Sequence, residues 1–319
     1  MLDALLANLL SPIVLAFVLG VIASLIRSDL EFPEALYSAL SIYLLFAIGL
    51  KGGVALSKTA PAEFIAPALA TLFLGLLTPL IAYLILRYVG AFDGINAAAI
   101  AAHYGSVSAV TFIAAQTFSQ IKGYANEGFL PALVAILEVP AIILALMLAR
   151  IGTSLVGSWK EALHEVITGR SIVLLLGGLF IGLIVGEKGI APISPFFIHG
   201  FQCALTLFLL EMGLVAARRL RTLKSVGPFL IAFGILVPIL HGALGTWLGL
   251  QVGLSIGGAA ILGTLASSAS YIAAPAAVRI GLPEANPTYY LTAALGITFP
   301  FNLTLGIPIY FAFSAWLGG

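Results

Sequence analysis

The chain has 319 residues, 61% of them apolar and 8% charged, with a net charge of +1 and a mean hydropathy of +1.15. A soluble domain carries roughly a quarter charged residues, so this composition describes a polytopic membrane protein, and no basic stripe points to nucleic acid. The single cysteine, Cys203, excludes an intrachain disulfide and a thiolate metal site, and its place in an apolar segment predicts a packing role.

A transmembrane helix needs about 20 apolar residues. The chain offers ten such runs, near 10–26, 35–56, 62–88, 94–118, 127–150, 170–186, 195–217, 225–250, 254–278 and 287–317. The first lacks a basic leader and a small-residue cleavage site, so it reads as a span and not as a cleavable signal. Breaks such as RSDLEFP, KTAPAE, GEKGIAP and RRLRTLKS separate the runs. Ten spans put both termini on one side, which receives four basic residues (Lys51, Lys58, Lys122, Lys188) against ten on the other, among them Arg27, Arg87, Arg150, Arg218, Arg221 and Arg279. The positive-inside rule makes the ten-charge side cytoplasmic. The expectation is a multi-pass protein of the cell (inner) membrane, embedded in lipid, with both termini outside.

Between the fifth and sixth runs, residues 152–169 are polar. Leu155, Trp159, Leu163 and Ile167 recur every four residues with Lys160, Glu161 and Glu165 between them, which predicts an amphipathic cytoplasmic helix, either a linker at the membrane interface or a docking surface.

The fourth run contains YGSVSAVTFIAAQ (104–116), polar and helix-weakening where a bilayer offers no water; the ninth contains SSASYIAAP (267–275). An offset of 159 pairs Phe112 with Tyr271, Thr111 with Ser270, Ser108 with Ser267 and Pro79 with Pro238. An offset of 160 pairs Pro140 with Pro300, and one of 164 pairs Leu50 with Leu214. Landmarks in the same order predict a duplication: residues 1–151 as a first five-helix repeat, 152–169 as the linker, and 170–319 as a second repeat. An odd number of spans inverts one half against the other, the architecture of secondary transporters. The predicted fold is therefore all-α, ten transmembrane helices in two inverted five-helix repeats, with spans 4 and 9 broken and crossing. At the breaks, Gly105 with Ser106 and the serines at 267–270, backbone N–H groups, helix dipoles and hydroxyls would converge on one point. The plainer reading of one such stretch is close helix packing by small residues; its repetition at matching positions favours the site.

Intramembrane acids point to function. Glu138 lies two residues before Pro140, whose ring frees a backbone carbonyl, so carboxylate and carbonyl together suit Na⁺; a structural acid and a proton carrier are the alternatives. Its repeat mate is Thr298, with Asn302 one turn on, both oxygen donors, and the hydroxyls of Ser108 and Ser270 suit a small cation as well. Glu211 is a second such acid, suited to an ion pair with an arginine or to substrate contact. Lone His103 and His241 read as hydrogen-bonding a neighbouring span. Lys51 closes the second span, where it snorkels or gathers anions.

HYGSVSAVTF, LEVPA, FLLEMGLVAA, SSASYIAAP and RIGLPEANP, in order over essentially the whole chain, resemble the sodium-dependent bicarbonate transporter family of cyanobacterial carbon-concentrating systems. The resemblance implies sodium-coupled uptake of bicarbonate, a homotrimer and a PII-like regulator on the cytoplasmic face. It places the anion at Gly105, Ser106, Ser108, Thr111, Ser267, Ser268 and Ser270, with sodium beside it on hydroxyls, carbonyls and Glu138. Na⁺ is then the coupling ion and no other cofactor is expected. The chain departs from that family in two places: Tyr271 stands where the cyanobacterial members have an acid after the serines, and the central connection is much shorter. A sodium-coupled carrier of another small organic anion, of the bile-acid type, is the alternative. A non-transporting membrane scaffold and an intramembrane serine protease using Ser106 or Ser108 with His103 or His241 rank lower. The serines lack the usual nucleophile context, so no enzyme is expected.

Overall fold

A computed structural model describes residues 6, 8–149, 159–220 and 223–319, and among them there is helix but no strand. In chain order the helices are α1 Pro12–Leu25, α2 Glu34–Leu56, α3 Pro61–Leu84, α4 Gly94–Gly105, α5 Ala109–Lys122, α6 Leu130–Ala149, α7 Trp159–Thr168, α8 Arg170–Ile190, α9 Phe201–Leu220, α10 Leu223–Gln251, α11 Ile256–Ser267 and α12 Ala273–Gly281. The last helical run, Pro287–Gly318, is called α13. Arg150, Leu155, Arg221 and the start of the connection at 152–158 lie outside the described residues.

Every predicted apolar run is helical, but the ten are not equal. Eight segments are long and apolar enough to cross a membrane, with α4 and α5 counted together as Gly94–Lys122; Pro12–Leu25 and Ile256–Ser267 are apolar but shorter. The ninth run falls short because the serines at 267–270 cut it into α11 and α12. Lengths elsewhere are trimmed by glycines in the left-handed region, where a side chain is strained. Gly186 (φ 60°) kinks the end of α8, and Gly227 (φ 77°) kinks the start of α10 just before Pro228.

Small residues decide which helices touch, as expected where lipid is as apolar as leucine and close backbone approach drives association. A Cβ on Gly20 of α1 would lie 2.0 Å from the Leu210 carbonyl of α9, and one on Gly213 would lie 2.1 Å from the Phe17 carbonyl. In the same way α2 meets α8 through Gly49 and Gly53 against Gly178 and Gly182, the Cβ of Gly53 falling 2.0 Å from the Leu179 carbonyl. A deeper pair of contacts follows the prolines. Gly75, one turn before Pro79, packs on Leu137 and Pro140, and Gly234, one turn before Pro238, packs on Ile297.

Two expectations need correction. Cys203 is exposed and not part of the core; α9 turns its buried face through Phe201 and Leu205 instead. The predicted amphipathic helix exists as α7, but its buried residue is Val166, at 3% exposure, while Ile167 is 50% exposed. The helix packs against α12, and that contact sets which face is buried.

Candidate functional site

The runs predicted as spans 4 and 9 are both interrupted. α4 ends at Gly105, with Ser106 in extended conformation (φ −88°, ψ 166°), and α5 restarts at Ala109 with Ser108 as N-cap, its side chain accepting from the Thr111 N–H. α11 ends at Ser267, with Ser268 likewise extended (φ −78°, ψ 160°), and α12 starts at Ala273. Gly105 is glycine for a packing reason. A Cβ there would lie 2.6 Å from Pro79 and 2.6 Å from Ala141, so the break is wedged between α3 and α6.

The starts of the broken helices are fixed by matching caps. Asp93 caps α4 by accepting from the Asn96 N–H at 2.9 Å, and Ser255 caps α11 by accepting from the Gly258 N–H at 3.1 Å. Each start is also tied to the segment following the other break. The Asn286 N–H donates to Asn96 Oδ1 at 2.8 Å, and the Ser255 N–H donates to Glu127 Oε1 at 2.7 Å. The beginning of each broken helix therefore shares an end of the molecule with the finish of the other, so the two run in opposite directions and meet at their breaks.

At that meeting point the Ser108 N–H donates to Ser268 Oγ at 3.0 Å, and the Ser270 N–H donates to the His103 carbonyl at 2.8 Å. Thr111 Oγ1 donates to Ser108 Oγ at 2.9 Å. Ser106, Ser108, Ser267, Ser268 and Ser270 are all 4% exposed or less. Ser106 Oγ is buried without a hydrogen-bond partner, and the Tyr271 hydroxyl turns toward Ser108 without a well-aligned bond. The first N–H groups of α5, at Ala109 and Val110, have no acceptor within their own helix. The crossing thus presents unpaired donors in a dry setting, which suits a small anion.

A second oxygen cluster lies one step along. Asn302 Nδ2 donates to the Ser267 carbonyl at 2.9 Å, the Tyr310 hydroxyl donates to Asn302 Oδ1 at 2.9 Å, and Ser267 Oγ is 3.4 Å from the same Oδ1. Thr298 belongs elsewhere: its Oγ1 donates to the Gly234 carbonyl at 2.8 Å and sits 2.7 Å from the Tyr104 hydroxyl. The cause is Pro238, which has no N–H to offer the carbonyl four residues before it. Glu138 is buried on α6, and no hydrogen bond joins it to the serines, Thr298 or Asn302. The structure therefore joins Ser108, Thr111 and Ser268 in one cluster and Ser267 with Asn302 in a second, sets Ser270 on the opposite break, and leaves Thr298 and Glu138 outside these bonds.

Tyr104 and Tyr310 escaped the sequence reading. The usable signal was that a tyrosine inside an apolar span needs a partner for its hydroxyl. The histidines also differ from expectation. His103 Nδ1 pairs with the Ala99 carbonyl of its own helix while its ring stacks on Tyr290, and His241 is buried with neither ring nitrogen hydrogen-bonded. Glu211 is buried with Oε2 unpartnered.

A family model described as the Na⁺-dependent bicarbonate transporter superfamily matches residues 12–315. No curated protein matches the chain.

Proposed function

The chain belongs to the Na⁺-dependent bicarbonate transporter superfamily, and from that premise we propose that it is a secondary transporter that takes up bicarbonate with sodium. The observation that carries this is the clasp of the two breaks, Ser108 on Ser268 and Ser270 on the His103 carbonyl, around unpaired donors. No lysine or arginine occurs in either broken stretch. A monoanion there is met by N–H groups, helix dipoles, hydroxyls and a co-bound cation. Gly105, Ser106, Ser108, Thr111, Ser267, Ser268 and Ser270 form the anion site in this reading. Near-complete burial of the serines favours an ion of a few heavy atoms over a bile-acid-sized one.

The sodium site is assigned to Glu138, Thr298, Asn302, Ser108 and Ser270. Its best supported part is the oxygen group around Asn302, since Thr298 already serves the Gly234 carbonyl.

The proposed architecture is ten spans in two inverted repeats, with both termini outside. Its support is pairwise. Gly20 on Gly213 corresponds to Gly178 on Gly49, at offsets of 158 and 164, and Gly75 on Leu137 corresponds to Gly234 on Ile297, at offsets of 159 and 160. A homotrimer and a PII-like regulator on the cytoplasmic face complete the proposal.

Purified protein in proteoliposomes should accumulate isotopic bicarbonate only with an inward sodium gradient, and Glu138→Gln should raise the sodium concentration giving half-maximal uptake. Absence of gradient-dependent uptake overturns the transport reading; unchanged sodium dependence removes Glu138 from the sodium site.

A further inference from the structure

Away from the crossing, a trough opens at the end of the molecule that carries Lys58 and Lys122. It has two adjoining lobes, of about 280 and 350 Å³, and Lys51, Gln116, Gln120 and Ile198 line both. One lobe adds His199 and Gln202, the other Asn126 and Lys58. No carboxylate is among the described lining residues, and Lys58 is ion-paired with Glu187.

Lys51 lies five residues before the end of α2, roughly 7 Å below it. A cation at that depth is costly without a partner and marks an ion pathway by default. Among the described residues Lys51 has no carboxylate partner, and its Nζ lies 5.1 Å from the ring centroid of Phe201, which holds the charge over the cavity by cation–π attraction. Opposite stands α5. Ile113, Gln116, Thr117 and Gln120 follow at i, i+3, i+4 and i+7, one face of the helix, and all four line the cavity. The same helix starts at Ser108, so Gln116 sits roughly 12 Å along its axis from the crossing.

We propose that the Lys51 trough is a second anion site, distinct from the serine crossing, which captures a small monoanion such as bicarbonate or a short carboxylate by pairing it with Lys51 and the amides of Gln116, Gln120 and Gln202 before it moves along α5. It supplies the fixed positive charge that the crossing lacks. The assignment of bicarbonate as cargo rests on the transport reading above, whereas the anion preference of the trough does not.

The test has two arms. In proteoliposomes, Lys51→Gln should raise the half-saturating bicarbonate concentration roughly tenfold, the lower end of what a charge-assisted hydrogen bond supplies, with the maximal rate retained. Lys51→Arg should restore most of the loss, and Gln120→Glu, an exposed position, should reproduce it. In the second arm Cys203 is replaced by alanine and Gln116→Cys is introduced. In sealed cells that cysteine should react faster with an anionic methanethiosulfonate applied outside than with a cationic one, and bicarbonate should slow the reaction. Adding Lys51→Gln should abolish the preference. A reaction rate indifferent to reagent charge, or a preference that survives Lys51→Gln, overturns the site whatever uptake shows. So does a Lys51→Gln protein with unchanged half-saturation. A charge preference without bicarbonate uptake by the wild type leaves the anion site standing and overturns the transport reading.

Discussion

Ser108 and Ser268, 160 residues apart in the chain, are joined by a hydrogen bond of 3.0 Å from the backbone N–H of the first to the hydroxyl of the second. Ser268 Oγ itself donates to the Leu265 carbonyl at 2.8 Å. One hydroxyl therefore finishes α11 and holds the start of α5. Ser268→Ala strands a buried N–H, which costs about 1–3 kcal/mol. Thermal unfolding in detergent should fall accordingly and uptake at low bicarbonate should drop sharply, while Ser268→Thr, which keeps the oxygen, should retain both. A stable, fully active Ser268→Ala protein would make the clasp incidental.

Thr298 compensates for Pro238 by donating to the Gly234 carbonyl. Thr298→Val keeps the shape and removes the donor, leaving that carbonyl and the Tyr104 hydroxyl unsatisfied, a loss of about 1–3 kcal/mol. In a Pro238→Ala background the new backbone N–H supplies the carbonyl, so the same substitution should cost measurably less. A double-mutant cycle of unfolding free energies gives the coupling directly. Additive effects would show that the threonine acts otherwise.

Gly213→Ala drives a methyl group to 2.1 Å from the Phe17 carbonyl. Backbone cannot yield as a side-chain tip can, so α1 and α9 must separate, at a cost of about 1–3 kcal/mol. Gly177→Ala, on the open face of α8 with nothing within 4 Å, is the matched control and should be neutral or slightly stabilising. Equal melting temperatures for the two variants would contradict the packing argument.

Burial alone would raise the Asp93 carboxyl, but hydrogen bonds from the Asn96 side chain and from backbone N–H groups outweigh it and hold the group below its ordinary value of 3.8. A depressed folded value means that the stabilisation is fully present above the unfolded value and is lost as pH falls through the folded one. Asp93→Asn keeps the cap and should flatten stability against pH below about 4. Asp93→Ala should cost about 1 kcal/mol at neutral pH. Melting curves between pH 2.5 and 7 would show whether the slope disappears.

The apolar runs, their polar breaks and the interruption of spans 4 and 9 were legible in the residues, because a bilayer demands unbroken apolar length and penalises unpaired backbone wherever the chain departs from helix. The helix caps were not read from the residues, although the signal was there. Asp93 and Ser255 act on N–H groups three residues away, so their geometry is local and the chain carries it in full. The glycine in IGL and its mate in MGL were visible as a repeat, yet the sequence could not say that Gly49 meets Gly178 while Gly213 meets Gly20. Tertiary structure alone decided such partners, since a polar atom inside lipid takes whichever partner packing brings within reach. That is why Thr298 went to the Gly234 carbonyl, why Asn302 gathered Ser267 and Tyr310, and why Lys51, Gln116 and Gln202, from three separate helices, came to line one trough.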